Sequence, residues 1–200
     1  LEDVFVFRGD TMLRPFGSAG APSWSFAAME DYYQVHGREW ERYAFIKARP
    51  VAGDIEAGHA LLRTLRPFVY RRYLDYNAIN SLRDLKRRLH DDVVARKVVD
   101  DVKLGPGGIR EIEFIVQSFQ LVRGGQDASL RNPSLRPTLE YLGESGLLPR
   151  DTAQKLDASY VFLRKLENAI QMYEDEQTHR LPMDEDRRHA LCVGLDFANW

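Results

Sequence analysis

A carboxylate lies between arginines near the start of the chain, in the stretch "VFVFRGDTMLR" (residues 4–14). Its β-branched and aromatic residues predict a strand, and strand alternation places Arg8, Asp10 and Arg14 on one face. Two interpretations fit this pattern. The face is either a solvated surface with an ion pair, or a metal-binding carboxylate with arginines beside it that hold phosphate groups.

A glycine-rich stretch, "KLGPGGIREIEFIVQSFQ" (residues 103–120), is the second candidate site. The unpaired N–H groups and the dipole at the start of the predicted helix favour anion binding at Gly107 and Gly108. Lys103 and Arg110 would add positive charge. The spacing matches neither a Walker loop nor a dinucleotide fingerprint. A purely structural interpretation is equally open, in which the glycines turn a sharp corner and allow helices to pack closely.

The helix predicted after these glycines carries two stripes of residues. Four apolar residues at spacings of three and four predict its packing face: Ile109, Ile112, Val116 and Phe119. Three polar residues form the neighbouring stripe: Arg110, Glu113 and Gln117. A polar stripe beside an apolar one is usually a solvent-exposed face.

Composition limits the class of protein. The 200 residues are 44% hydrophobic and 11% aromatic, which is enough for a substantial core. A net charge of −2 gives no overall attraction to nucleic acid or to an anionic membrane, and no apolar run is long enough to span a bilayer. The single cysteine, Cys192, excludes an internal disulfide and fits a reducing cytoplasm. The five histidines show no zinc-ligand spacing.

Helical signals dominate after the first strand. Ser25 and Asp54 are placed to cap helices, and Asp151 with Gln154 predicts a capping box at the start of a long helix. The break "RPVAGD" before Asp54 predicts a domain boundary, which gives one domain over residues 1–53 and a second over 54–200. The predicted fold is therefore mainly α, a helical bundle preceded by one strand. Because a lone strand is not stable, its sheet partners are expected upstream of Leu1.

Five motifs occur in a fixed order along the chain. They are "FRGDTMLRPFG" (7–17), "DYYQVHGREWERYAFIKARPVAGD" (31–54), "LRPFVYRRYLDY" (65–76), "KLGPGGIREIEFIVQSFQLVRGG" (103–125) and "YVFLRKLENAIQMYEDEQTHRLP" (160–182). Together they closely resemble the family of bifunctional glutamine synthetase adenylyltransferase/adenylyl-removing enzymes. The form of the first two motifs resembles the N-terminal, adenylyl-removing half.

This resemblance implies a fold and a metal site. Residues 1–53 would be the last strand and helices of a polymerase-β-type nucleotidyltransferase domain, whose sheet carries three acidic residues and two Mg²⁺ ions. The first two acids belong to a Gly-Ser…Asp-x-Asp segment that this sequence does not contain, and Asp10 matches the third. The family pattern is close to Arg-Val-Asp-x-Arg-Leu-Arg-Pro. Gly9 and Met12 depart from it, and the change at Met12 removes a cation from the face that carries Asp10.

The resemblance also implies an activity. Inorganic phosphate would attack a tyrosine–AMP bond on glutamine synthetase and release ADP. Asp10 would bind Mg²⁺, and Arg8 and Arg14 would steady phosphate oxygens. Five residues of the glycine-rich stretch would line the cleft over the nucleotide or the substrate tyrosine: Lys103, Gly107, Gly108, Arg110 and Glu113.

Partners and alternatives follow from the same resemblance. The expected partners are glutamine synthetase and the PII signal protein, with ATP or ADP, phosphate and glutamine as small molecules, and this segment alone is expected to be inactive. Two alternatives remain open. One is the adenylylating half or a PII uridylyltransferase, which has a similar Gly-Gly-Ile/Leu-Arg helix. The other is a non-catalytic helical module for regulation or docking.

Overall fold

The computed structural model describes residues 11–71, 80, 83–84, 86–87, 91, 100–173 and 177–200. Arg8 and Asp10 lie outside the described residues. The described end of the predicted strand, residues 11–14, is a loop, because the Arg14 guanidinium bonds back to Thr11 and to Gly20. Within these ranges the only β-structure is an isolated bridge between Asp101 and Arg180. The prediction of a mainly α fold is confirmed.

The first compact unit ends at Arg71, and its described residues, 11–71, form four helices. They are α1 (Phe26–Val35), α2 (Glu39–Phe45), α3 (Ile55–Thr64) and α4 (Arg66–Val69), after a short 3₁₀ turn at Gly17–Ala19. The Ser25 hydroxyl accepts the N–H of Ala28, and the Asp54 carboxylate accepts the N–H of Ala57. Both predicted N-caps are therefore confirmed.

An aromatic core holds this unit together. Its members lie on α1 to α4 or, in the case of Leu65, at the junction of α3 and α4: Met29, Tyr32, Tyr33, Phe45, Leu61, Leu65 and Phe68. The Arg42 side chain on α2 is buried and donates from Nε to the carbonyl of Phe68 at 2.9 Å. Because α3 and α4 pack on α1 and α2 in this way, they group with the first unit. The boundary between residues 53 and 54 stays a prediction about domains.

The second unit runs from Arg72 to Trp200. Its helices are α5 (Ile109–Arg123), α6 (Leu135–Glu144), α7 (Arg150–Met172) and α8 (Glu185–Gly194), with a 3₁₀ turn at Ala128–Arg131. Residues 80, 83–84, 86–87 and 91 are also helical. None of the helices among the described residues is long and apolar enough to cross a membrane.

The core of the second unit lies where α5, α6 and α7 meet. Five buried residues form its centre: Ile112, Val116, Leu130, Leu139 and Leu142. Helix α7 begins at Arg150, directly after Pro149, so Asp151 lies inside the first turn and no side chain caps the helix. The predicted capping box is wrong because Pro149, which has no N–H and a fixed φ, starts the helix earlier.

Candidate functional site

The Arg14 guanidinium stabilises its own loop. Nε donates to the carbonyl of Gly20 at 3.1 Å, and Nη1 donates to the carbonyl of Thr11 at 2.9 Å. These bonds fix the direction of the side chain. The predicted phosphate contact of Arg14 stays a prediction, as do the roles of Arg8 and Asp10 outside the described residues.

Residues 105–108, here called the glycine corner, make the turn into α5. Gly107 has φ +71°, a conformation that L side chains rarely adopt. A Cβ on Gly108 would lie 2.8 Å from the carbonyl oxygen of Gly105 and 2.9 Å from that of Val102. The chain therefore requires both glycines for its path, as the structural interpretation predicts.

The amide groups at this corner already have acceptors. Gly108, Ile109 and Arg110 donate to the carbonyls of Gly105, Val102 and Lys103, each at 3.0 Å. The N–H of Gly107 donates to the Glu111 carboxylate at 3.1 Å. An anion at this corner would have to displace these bonds, so side chains are the donors that remain for a ligand.

Glu167 on α7 is the centre of a charged cluster. Its side chain is only 3% exposed, and Oε2 accepts from Arg164 Nη1 at 2.6 Å, one turn earlier on the same helix. Oε1 lies 3.3 Å from Lys103 Nζ and 3.1 Å from His179 Nδ1. These four residues, Lys103, Arg164, Glu167 and His179, are named the Glu167 cluster below.

Backbone bonds hold the two contributing loops together. Val102 donates to the carbonyl of His179 at 2.9 Å, and Leu181 donates to the carbonyl of Asp100 at 2.8 Å. Asp101 is buried, and its Oδ1 accepts the N–H groups of Lys103 at 2.9 Å and Leu104 at 2.7 Å. The loop that presents Lys103 is therefore fixed before the glycine corner begins.

The His179 imidazole has a lowered pKa. Burial is the main cause, the positive charge of Lys103 acts in the same direction, and the carboxylate of Glu167 opposes both. The imidazole is therefore neutral near pH 7. The side-chain nitrogen of Gln171 lies 3.1 Å from Nδ1, so a protonated Nδ1 bonds to Glu167 and a bare Nδ1 accepts from Gln171.

The polar stripe of α5 is not a solvent-exposed face. Gln117 is 4% exposed, and Arg110 and Glu113 are half-buried. Burial, with a further contribution from the negative charge of Glu113, raises the pKa of Tyr160 on α7. The prediction of a solvent face is wrong because Gln117 is buried, and Glu113 lies close enough to α7 for its charge to act on Tyr160.

Sequence reasoning missed three members of the cluster, Arg164, Glu167 and His179. A signal for Glu167 was present, since it lies four residues after Leu163 and three before Ile170, on the packing stripe of α7. A carboxylate at such a position is buried and requires cations. The described residues contain no group of three or more histidines, cysteines or acids that could hold a metal ion.

Comparison with known proteins defines the class and then the family. Residues 82–199 match the family model described as GlnD PII-uridylyltransferase, and residues 2–64 match that of Glutamate-ammonia ligase adenylyltransferase. The first match covers more than half of the chain, which places it among proteins related to nucleotide-transferring enzymes. The second match and the relatives described next show the family: the chain belongs to the bifunctional glutamine synthetase adenylyltransferase/adenylyl-removing enzymes.

Three relatives carry that name. The protein of Xanthomonas campestris pv. campestris (strain B100) is 54% identical over 198 residues, and that of Hahella chejuensis is also 54% identical over 198 residues. In both cases the match covers 99% of this chain and 21% of the relative. The protein of Thioalkalivibrio sulfidiphilus is 53% identical over 196 residues, 98% of this chain and 20% of the relative. The chain thus spans about a fifth of the length of these relatives.

Proposed function

We propose that the chain is a segment of an enzyme that controls glutamine synthetase by removing and adding AMP on a tyrosine, and that it serves the adenylyl-removing half. The observation that carries this proposal is 54% identity over 99% of the chain to enzymes named for both activities. In the removing reaction, inorganic phosphate attacks the phosphorus of the tyrosine–AMP bond. The bond to the tyrosine oxygen breaks, and ADP and free tyrosine leave.

The proposed roles near the start of the chain follow from charge. Asp10 would be one carboxylate ligand of Mg²⁺, and Arg8 and Arg14 would contact phosphate oxygens. When bound, Mg²⁺ neutralises the charge that develops on the transferring phosphoryl group. Because this sequence contains one of the three acids that the site requires, the segment alone is expected to be inactive.

The residues around the glycine corner would line the cleft. Lys103 supports this role, because its side chain is 40% exposed although one end contacts Glu167. Arg110 and Glu113 are half-buried on α5 and leave part of each side chain open to a ligand. Gly107 and Gly108 would act through the path of the backbone, since their amides are already bonded.

The wider assignments belong to the same proposal. The substrate protein would be glutamine synthetase, and the PII signal protein would regulate the enzyme. ATP or ADP, phosphate and glutamine would be the small-molecule partners, and the enzyme would act in the cytoplasm.

A second candidate is the adenylylating half or a uridylyltransferase-like enzyme that modifies PII. The observation that favours it is the match of residues 82–199 to the GlnD PII-uridylyltransferase model. This candidate predicts transfer from ATP or UTP to an unmodified protein, whereas the first predicts phosphate-dependent release of ADP from a modified one.

The test uses the full-length parent enzyme with adenylylated and unmodified glutamine synthetase in separate assays. Asp10→Asn should lower phosphate-dependent ADP release at least about a hundredfold, since a metal ligand supports several kcal/mol of transition-state stabilisation. Asp31→Asn, at an exposed position on α1, is the matched control. Near-normal ADP release by Asp10→Asn would remove Asp10 from catalysis. Loss of AMP addition alone, or uridylylation of PII by the parent, would favour the second candidate.

A further inference from the structure

One buried carboxylate holds two half-exposed cations side by side in the Glu167 cluster. Lys103 Nζ lies 3.3 Å from Oε1 of Glu167, and Arg164 Nη1 lies 2.6 Å from Oε2. The Glu167 side chain is 3% exposed, whereas those of Lys103 and Arg164 are 40% and 44% exposed. Both cations are therefore anchored from the protein side and open on the solvent side.

The two cations retain unused donors. A lysine ammonium has three N–H groups and an arginine guanidinium has five, and each side chain contacts Glu167 through one nitrogen. Across the described ranges, neither side chain makes another ion pair. Because both nitrogens contact the same carboxylate, the two cationic groups lie close to each other.

Three other ionisable side chains lie in or near the cluster, those of Asp101, Glu113 and His179. Asp101 is buried, and its Oδ1 faces the N–H groups of Lys103 and Leu104. The negative charge of Glu113 contributes to the raised pKa of Tyr160 on α7. The His179 imidazole is neutral near pH 7, so its contact with Glu167 adds no positive charge. Two cationic side chains with free donors are what this surface offers to a ligand.

We propose that Lys103 and Arg164 together bind one phosphate group, and that Glu167 is the positioning residue that holds the two cations at the spacing of that group. A phosphate offers several oxygens to both donors at once, and an arginine fork beside a lysine suits it. The inference rests on the proposed function only for the source of the phosphate, which is either inorganic phosphate or the phosphate of a bound nucleotide.

The test measures binding rather than turnover, in the full-length parent protein. Isothermal titration with inorganic phosphate, AMP and adenosine compares the parent with Arg164→Gln, Lys103→Gln and the control Lys165→Gln, the exposed neighbour on α7. A charge-assisted hydrogen bond lost from a ligand corresponds to about a tenfold loss of affinity or more. Each cluster variant should lose this much affinity for a phosphate-bearing ligand. The affinity of Lys165→Gln for the same ligands should not change, and neither should the affinity of any variant for adenosine.

The ligands separate the two sources. Loss of affinity for inorganic phosphate alone assigns the site to free phosphate, and loss of affinity for AMP alone assigns it to the nucleotide. Unchanged affinity for both ligands in both variants overturns the proposal. If Arg164→Gln lowers the melting temperature below that of the assay, Arg164→Lys replaces it, and a smaller loss of affinity is expected because the charge remains without the fork.

Glu167→Gln tests the positioning role by the sign of its effect. The substitution removes a negative charge, so simple electrostatic attraction would strengthen phosphate binding. If Glu167 positions the two cations, binding should weaken instead, and stronger binding would contradict that role. Because these measurements need no substrate protein, loss of binding with no ADP release from adenylylated glutamine synthetase would leave the inference standing without the proposed function. Normal ADP release with unchanged phosphate binding in the variants would support the proposed function and contradict the inference.

Discussion

Lys103 Nζ lies 3.3 Å from Oε1 of Glu167, and this contact joins the loop before the glycine corner to the C-terminal part of α7. His179 contacts the same oxygen at 3.1 Å and attaches the segment before α8 to the same point. One buried carboxylate therefore connects three stretches of the second unit that are distant in sequence.

We expect Glu167→Ala to destabilise the second unit by about 2 kcal/mol. Removal of a buried partner leaves its cations unpaired, and the half-exposed positions of Lys103 and Arg164 keep the loss below that of a fully buried pair. Glu144→Ala, at an exposed position at the end of α6, is the control and should change stability little. Urea unfolding followed by circular dichroism measures both. Equal midpoints for the two variants would show that the cluster adds nothing to stability.

Stability should depend on pH through His179. Burial lowers its pKa below the ordinary value of 6.5, so the unfolded chain takes up the proton first as the pH falls. The free energy of unfolding should therefore decrease as the pH drops through 6.5 toward the lowered pKa. Above that window, His179 is neutral in both states and has no effect.

The measurement compares unfolding free energies at about pH 7.5 and about pH 5.5 for the wild type and His179→Gln. Other groups titrate in both proteins, so the difference between the two pH dependences isolates His179. The wild type should lose more stability than the variant. A variant that loses as much as the wild type would show that His179 keeps an ordinary pKa.

Local features of the fold could be predicted from the sequence. The caps at Ser25 and Asp54 depend on one side chain and an amide three residues later, so the pattern contains all that is needed. The strand over residues 4–14 is different. Its described end is a loop that Arg14 holds, and strand formation depends on neighbours that a single stretch does not reveal.

The candidate site was only partly predictable for the same reason. Lys103 was found because it precedes the glycines, but its partner Glu167 lies on another helix and the pairing depends on the tertiary fold. Gln117 was assigned to a solvent face because periodicity gives the angle of a side chain around its own helix and not what covers it. Tertiary packing, which the pattern does not reveal, buries Gln117.

Two buried glutamines on α5 should respond in opposite directions to the same substitution. Gln117 Oε1 has no hydrogen-bond partner among the described residues, whereas Gln120 Nε2 donates to the carbonyls of Leu130 at 2.9 Å and Asn132 at 2.7 Å. Gln117→Leu should stabilise the unit by about 1 kcal/mol, because an unsatisfied polar atom is removed. Gln120→Leu should cost about 2 kcal/mol, because two carbonyls lose their donor.

Thermal unfolding of the two variants beside the wild type checks this pair. The side chains occupy neighbouring turns of one helix and the substitution is the same, so differences in helix propensity cancel. A loss of stability in both variants would mean that Gln117 has a partner that the described residues do not show.

The two glycines of the corner should differ in what they tolerate. At Gly107 an alanine has free space around its Cβ but must adopt φ +71°, which costs about 1 kcal/mol. At Gly108 the Cβ would lie 2.8 Å from the carbonyl oxygen of Gly105, and also within 3.0 Å of the carbonyls of Val102 and Lys103, so the backbone must move. Gly108→Ala should therefore cost about 2–3 kcal/mol.

The same pair tests whether the corner positions Lys103. Ile109 and Arg110 donate to the carbonyls of Val102 and Lys103, so a shift forced at Gly108 would move the residue that carries the ammonium group. Gly108→Ala should weaken phosphate binding, and Gly107→Ala should leave it close to the wild type at a temperature where both variants are folded. Titration of the two variants under identical conditions gives the answer. Equal affinities would limit the glycine corner to a structural role, because its backbone would then not control where Lys103 lies.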